Sequence, residues 1–232
     1  DNRLNATVEG FYEKRSDILV SGANSTSGII GITVGQVNEG IYKYKGVDAS
    51  LSWNDKIGDF HYGIGASMSY LNTEVVNVNQ AYQEYDYLYT KGNRIGQMYG
   101  LEAIGFFNSQ QEINNSPQQT FSDVAPGDVK YKDMNGDGEI NEFDRTVIGG
   151  DKPTCYFGID LGFEWKGLEV TAFIQGAYNR DLYNSDRTLL EGFQVIGQSY
   201  GQAYTNLLNR WTPETAETAT YPRLTAGGNM YN

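Results

Sequence analysis

Between Phe60 and Leu71 the chain alternates strictly between apolar and polar positions. Phe60, Tyr62, Ile64, Ala66, Met68 and Tyr70 fall on one face, and His61, Gly63, Gly65, Ser67 and Ser69 on the other. A period of two residues predicts a β-strand with one apolar face. Upstream, Val47, Ala49, Leu51 and Trp53 alternate with Asp48, Ser50, Ser52 and Asn54, and the polar stretch 54–59 reads as a short turn. The pattern recurs from Cys155 to Trp165 and from Leu168 to Tyr178, on either side of the tight turn Lys166-Gly167. It is also present at Leu4, Ala6, Val8 and Tyr12. Five strands are predicted, at 3–13, 43–53, 60–71, 154–165 and 168–178, and the connections 16–40, 72–153 and 179–232 are long and polar.

One apolar face per strand suits two architectures. A two-sheet sandwich would bury those faces against each other, whereas a transmembrane barrel would turn them to lipid. The aromatic residues bear on the choice. Trp53, Phe60 and Trp165 stand beside the short turns, and Tyr12, Tyr70 and Tyr178 stand at the far ends. Eleven residues from Phe60 to Tyr70 reach about 34 Å, which at a tilt of ~40° covers roughly 25 Å of bilayer. Short turns at one end and long loops at the other are the asymmetry of an outer-membrane barrel, with periplasmic turns and extracellular loops. The expected fold is therefore all-β, an antiparallel transmembrane β-barrel portion with its long loops outside. Val47, Ala49, Leu51, Ile64, Ala66, Met68, Ile159, Leu161, Val170 and Ala172 are expected to face lipid, and Ser50, Ser67, Asp160 and Thr171 the lumen. Residues 97–107 look strand-like, but one more crossing would place the turn at 166–167 on the wrong side; they are expected to be extended structure within the outer excursion. Five crossings cannot close a barrel, since about eight strands are the minimum. A piece of one larger barrel domain is thus expected over 1–232.

Composition supports the all-β reading. Gly at 28 and Tyr at 18 suit a turn-rich, amphipathic sheet, and 28 Gly would weaken a helical bundle at roughly 1 kcal/mol per interior position. The apolar share of 39% is low for a buried core, but 13% aromatic residues argue against disorder. The formal charge of −12 argues against a nucleic-acid partner, which requires a basic face. One cysteine, Cys155, forms no intrachain disulfide. One histidine, His61, limits triad and multi-histidine zinc schemes, and its position among Gly and Ser reads as a lumen-facing side chain. Glu164, Glu169 and Asp160 read as solvated rim charges, and no catalytic constellation is visible. Leu189, Leu190, Leu207 and Leu208 suggest a short helix before Thr212-Pro213.

One segment has the spacing of a metal loop. Asp133, Asn135, Asp137 and Asp144 occupy positions 1, 3, 5 and 12 of the twelve residues 133–144, with Gly138 at position 6 and Ile140 at position 8. This is the pattern of an EF-hand-type calcium loop. Glu139 would add its carbonyl, and Asn141 its side chain or a water. The departures are an Asp where Glu normally closes the site, and Arg145 to Gly150, which cannot continue as an exiting helix. The competing reading is a loop of Asp, Asn and Gly held by its own side-chain turns. A structural Ca2+ is the expectation.

The same stretch carries a family resemblance. Pro126-Gly127-Asp128-Val129-Lys130-Tyr131-Lys132-Asp133 through Asp144-Arg145-Thr146-Val147-Ile148-Gly149 resembles a conserved segment of the SusC/RagA family of TonB-linked outer-membrane proteins, "GD-(I/V)-KY-x-D-x-NGDG" and onward. Gly105-Phe106-Phe107-Asn108-Ser109-Gln110 is similar to the family's "GIFQSQ". Tyr156-Phe157-Gly158 through Trp165-Lys166-Gly167, then Phe173-Ile174-Gln175-Gly176, is similar to its "YG…YKG…QG" hairpin, and Arg210-Trp211-Thr212-Pro213-Glu214 to its "RWTPE". The extra residues between Ile41 and Gly46 depart from the family pattern and loosen the register of 43–53.

The resemblance implies a barrel of roughly 22 strands with an N-terminal plug and a TonB box. It also implies a SusD-like surface lipoprotein as lid, the TonB complex as energy source, and import of oligosaccharide or peptide cargo across a Bacteroidetes-type outer membrane, in contact with its lipid. The plug, the TonB box and the last strands are expected to lie outside these residues, so this chain alone is expected to transport nothing. The alternative is a secreted calcium-stabilised β-sandwich that binds carbohydrate. A glycosidase would need two carboxylates facing across a cleft, and no such pair is evident.

Overall fold

The computed structural model describes residues 3–22, 35–183 and 205–225. Among the described residues the strands and the short helix are β1 (Leu4–Ser21), β2 (Gln36–Ile57), β3 (Phe60–Asn77), β4 (Gln97–Leu101), β5 (Ala103–Phe106), α1 (Gln110–Asn114), β6 (Gln118–Gln119), β7 (Val129–Tyr131), β8 (Glu139–Ile140), β9 (Arg145–Gly150), β10 (Cys155–Trp165) and β11 (Leu168–Tyr178). Among the described residues no helix is long and apolar enough to cross a membrane, which says nothing of strands. The chain divides into two compact units, Asp1–Met98 with Gly149–Leu182, and Tyr99–Ile148 with Tyr183–Asn232.

The first unit is one antiparallel sheet in the order β1-β2-β3-β10-β11. Its register lines up the apolar positions. Ala49, Met68, Phe157 and Gly176 form one cross-strand row, and Leu51, Ala66, Ile159 and Ile174 the next. Because side chains alternate, the polar positions fall together on the opposite face. The apolar face is uncovered among the described residues: Val8 is 72% exposed, Leu51 51%, Ile64 51% and Ile174 52%. An exposed apolar face of that extent is what a wall turned to lipid presents, and it fits the barrel reading over the sandwich. The fold is a portion of a barrel wall. Trp53, Phe60 and Trp165 border the band at the turn end, where Phe60 packs on Phe163 (centroids 5.6 Å) and Lys166 lies over Trp165 at 5.2 Å.

Both hairpin turns at that end have two residues. Ile57 pairs with Phe60 around Gly58 and Asp59, and Trp165 pairs with Leu168 around Lys166 and Gly167. Lys166 and Gly167 both have positive φ, as a type I′ turn demands. The turn expected over 54–59 is thus narrower, because Asn54 to Ile57 still pair with residues 60–63 of β3.

At the other end the strands run further than the alternation suggests. Residues 16–21 and 36–40, expected in a loop, continue the β1–β2 ladder, as do 41 and 42, and 72–77, also expected in a loop, continue β3. The band-face positions turn charged there: Lys14 faces Lys43, and Lys43 pairs with Glu74 at 3.5 Å. Charge on that face marks the end of the lipid-facing band. Beyond it the ladder no longer depends on apolar burial, and the period-two apolar signal disappears. Cross-strand contacts such as Arg15 over the Tyr44 ring at 4.6 Å take its place, and Asp17, with φ 58, bulges the strand.

The second unit contains β5 paired with β7 and β6 paired with β8. Residues 97–107 form β4 and β5, neither of which joins the five-stranded sheet. The region expected to be plain outer loop has a core of its own, with Phe107, Ile140 and Trp211 buried. Leu189 and Leu190 of the expected helix lie outside the described residues, while Thr205–Asn209 form a short 3-10 helix before Thr212.

Candidate functional site

The polar face of the wall is the first candidate. A groove of about 800 Å³ follows it, lined among others by Thr7, Glu9, Asp48, Ser50, Tyr156, Phe173 and Gln175. Glu9 is directly opposite Asp48, and Glu164 is opposite both His61 and Glu169. Like charges at directly opposed positions are unfavourable in a sheet, so two such pairs give this face a net acidic character. Ser50, Ser67, Asp160 and Thr171 share its parity, opposite in sense to Leu161 and Ala172. Phe11 lies across Gly46, where a Cβ would collide with its ring.

The second candidate is the loop 133–144. Gly136 and Gly138 have φ of 76° and 88°, a region open to glycine. Asp133 accepts the Gly136 N–H at Oδ1 (2.6 Å) and the Gly138 N–H at Oδ2 (3.0 Å). Asn135 accepts from the Asp137 N–H (3.1 Å) and donates to Asp137 Oδ2 (2.8 Å), and Asp137 Oδ1 accepts from the Glu139 N–H (2.8 Å). Asp144 is fully buried and accepts the N–H groups of Met134 and Asn141, each at 2.8 Å. Asn141 accepts from the Phe143 N–H and caps the 3-10 turn Glu142–Asp144. Ile140 is buried at the base, in parallel pairing with Gln119.

The side-chain oxygens thus serve the loop's own N–H donors. Among the described residues no three acidic, histidine or cysteine side chains stand close enough to share a metal ion. As arranged, Asp133, Asn135, Asp137, Asn141 and Asp144 hold the loop by side-chain bonds to its own N–H groups.

The residues that hold the second unit lie elsewhere. Asp128 is fully buried; its Oδ1 is 2.7 Å from Arg223 Nε, and its Oδ2 accepts from Arg223 Nη2 (3.2 Å) and from the Ala125 N–H (2.8 Å). Backbone bonds tie Phe107 to Asp128 (3.0 Å), and Arg223 to Gly127 (2.9 Å). Trp211 donates from Nε1 to Asn108 Oδ1 at 3.1 Å. Gly127 has φ 94° against the Trp211 ring, so both its backbone and its missing side chain are needed.

Helix α1 is capped by Ser109, whose hydroxyl accepts from the Glu112 N–H (3.2 Å). The Asn108 N–H, donated to Glu112 at 2.9 Å, lowers the Glu112 pKa most, and the bond from Lys130 at 3.0 Å adds to this. A lowered carboxylate pKa contributes stability above its unfolded value of 4.5, lost as pH falls through the lower folded value. Protection of the amides in 108–114, taken relative to their intrinsic exchange rates at each pH, is therefore expected to fall below about pH 4.5 in the parent, and in Glu112→Gln this fall should be absent.

Comparison with known proteins gives a consistent picture. No family model matches. In Formosa agariphila, TonB-dependent receptor P26 is 26% identical over 240 residues and TonB-dependent receptor P3 is 24% identical over 234. These alignments cover 99% and 94% of this chain, but 23% and 22% of the relatives. The solved RagAB peptide importer in its open-open state superposes with a TM-score of 0.71 at 21% identity, over all of this chain and 24% of that one. The closed-closed state gives 0.66 at 22% identity, over 25% of that chain. The chain thus spans about a quarter of the length of the proteins it matches.

Proposed function

We propose, for a chain whose sequence and fold are of the SusC/RagA type of TonB-dependent receptor, a part in nutrient import across the outer membrane of a Gram-negative bacterium. The observation that carries this reading is the register of the five-stranded sheet. It gathers an aromatic-bordered apolar band on one face and the polar positions, with the acidic pairs Glu9–Asp48 and Glu164–Glu169, on the other. Lipid meets the first face and cargo passes along the second. A SusD-like lipoprotein covers the outer side, TonB supplies the work of import, and the cargo is an oligosaccharide or a peptide. Deleting the gene that encodes this chain should abolish uptake of its cargo, and deleting TonB should do the same. Uptake that survives loss of TonB would overturn the reading.

Within this reading the segment 133–144 is a structural loop. Calcium held by Asp133, Asn135, Asp137, Glu139, Asn141 and Asp144 is the proposal that its spacing supports, and closure by its own Asx turns is the rival that its hydrogen bonds support. Metal analysis in calcium-containing buffer, paired with proteolysis of 125–150, separates them. About one ion per chain, with cleavage accelerated by chelation, supports calcium. Equal protection with and without chelator assigns the order to the turns.

A further inference from the structure

On the apolar side of the wall the outer aromatic row is followed by lysines. That row runs Val47, Tyr70, Cys155, Tyr178 across four strands. Two residues further out, Lys45 lies between Tyr12 and Asn72; two further again, Lys43 lies between Lys14 and Glu74. Pairing is unbroken from Leu4 to Arg15 and from Tyr42 to Ile57, so Lys14, Lys43 and Lys45 share the parity of Val47 and Leu51. Two residues advance a strand by ~7 Å, or about 5 Å along the membrane normal at a tilt of ~40°. The lysine rows thus stand about 5 and 10 Å beyond the Tyr70–Tyr178 row. The polar headgroup layer is roughly 5–8 Å deep, and a lysine stem can lean back by several ångströms to place its ammonium there.

The protein does not balance this charge. In 12–15, 42–45 and 72–74 the charged residues are Glu13, Lys14, Arg15, Lys43, Lys45 and Glu74. Glu13 and Arg15 lie on the opposite face and pair with each other at 2.6 Å. On the apolar side Lys43 pairs with Glu74 at 3.5 Å, while Lys14 and Lys45, both exposed, form no ion pair among the described residues. Three ammonium groups therefore stand with one carboxylate, and Lys14 is directly opposite Lys43, where like charges repel. The charges nearby are engaged or set apart. Asp17, in the bulge, accepts from Ser16 Oγ (3.0 Å), and Glu39 lies past the register shift at Ile41. Lys152 pairs with Asp151 at 3.6 Å, and Arg180 donates to the Asp151 carbonyl at 3.1 Å. The segment that follows β3, with Lys91 and Arg94, returns over the other face: the Ile95 N–H meets Thr73 Oγ1 at 3.0 Å, and Thr73 is opposite Tyr44, off the lysine parity.

A phosphate among the lysines replaces their repulsion with charge-assisted hydrogen bonds. The patch also continues an apolar band, so the occupant that fits both is an amphiphile, its acyl chains along the band and its phosphate at the lysines. Tyr12, 65% exposed and opposite Lys45, adds an amphipathic ring at that depth. We propose that Lys14, Lys43 and Lys45 form a binding site for the phosphate-bearing headgroup of an outer-leaflet lipid. This rests on the reading of the sheet as an outer-membrane wall with its long loops outside, and adds to it a site selective for one headgroup chemistry.

The test titrates the purified full-length protein, in dodecyl maltoside, with bisphosphorylated lipid A, with the same lipid freed of phosphate, and with inorganic phosphate. Native mass spectrometry reads the bound lipid. The phosphorylated lipid should bind at least tenfold more tightly than the phosphate-free one, and inorganic phosphate should displace it only at large excess. Lys14→Gln with Lys45→Gln should weaken the phosphorylated lipid at least tenfold, and Lys14→Arg with Lys45→Arg should restore it. Glu74→Gln, which removes the carboxylate from the patch, should tighten it. Lys166→Gln, at the turn end, should leave it unchanged. Both lysines are exposed, so the double glutamine variant should keep the parent's unfolding temperature. Equal binding of the two lipids, displacement by equimolar phosphate, or an affinity unmoved by the double glutamine variant would overturn the site. Import is scored separately, as uptake in cells with and without TonB. Uptake that survives loss of TonB, with lipid binding still dependent on the lysines, would remove the import reading and leave the site; TonB-dependent uptake with lipid binding indifferent to the lysines would do the reverse.

Discussion

Arginine in place of Leu161 is expected to destabilise the folded sheet in lipid by about 2–4 kcal/mol, and arginine in place of Asp160, one residue away, by far less. The two positions share a strand and a local ladder, so backbone propensity is nearly common to both. They differ in face. Leu161 lies opposite Ile64 on one side and Ala172 on the other, inside the apolar band. Asp160 lies opposite Gly65 and Phe173 on the polar groove face. A guanidinium at Leu161 must give up its hydration in hydrocarbon or distort the bilayer to keep it; at Asp160 it keeps water and meets an acidic surface. Urea unfolding of the full-length protein in lipid vesicles measures both. Equal losses would mean that the band does not face lipid and would remove the barrel wall with it.

The membrane-facing part of this fold was legible because lipid imposes a strict rule on every second residue. Where Val47 to Trp53, Phe60 to Tyr70 and Leu168 to Tyr178 cross the band, apolar and polar residues must alternate, and they do. Outside the band the rule lapses. Tyr42 to Lys45 and Asn72 to Glu74 pair as regularly as the band does, with Lys43 opposite Glu74, yet nothing in their polarity says strand. The ladder there is held by hydrogen bonds, a cation over a ring and an ion pair, which leave no periodic trace. The loop 133–144 was legible in shape, since Gly136 and Gly138 stand where positive φ is needed. The spacing of its oxygens is that of a calcium loop. Spacing does not reveal that the N–H groups of Met134, Gly136, Gly138, Glu139 and Asn141 point at the same oxygens. The core around Phe107 and Trp211 was not legible at all. Its contacts join residues about a hundred positions apart, and each partner lies in a stretch too polar and irregular to announce burial.

Asp128 shows what such a long-range contact is worth. Replacing it with alanine is expected to destabilise the second unit by about 3–5 kcal/mol, the cost of breaking a buried ion pair by removing one partner. The carboxylate is fully buried; it accepts hydrogen bonds from Arg223 Nη2 and the Ala125 N–H, and Arg223 Nε lies 2.7 Å from Oδ1 in the ion pair. In Asp128→Ala the guanidinium keeps its charge in a mostly enclosed place, and the Ala125 N–H has no acceptor there. Asp128→Asn keeps an acceptor and the side-chain shape, so it should lose less, on the order of 1.5–3 kcal/mol for hydrogen bonds to a charged group. Glu142→Ala, at an exposed position of the same unit, should change stability by no more than about 0.5 kcal/mol. The consequence is local. Arg223 also donates its backbone N–H to Gly127, against which Trp211 packs, so losing the pair should release 205–225 from 107–128. Hydrogen exchange on the full-length protein should show faster exchange at Phe107, Asp128 and Trp211, with the five-stranded sheet unchanged. If Asp128→Ala leaves those amides as protected as Glu142→Ala does, the buried pair does not hold the unit together, and the apolar packing of Phe107, Ile140 and Trp211 holds it alone.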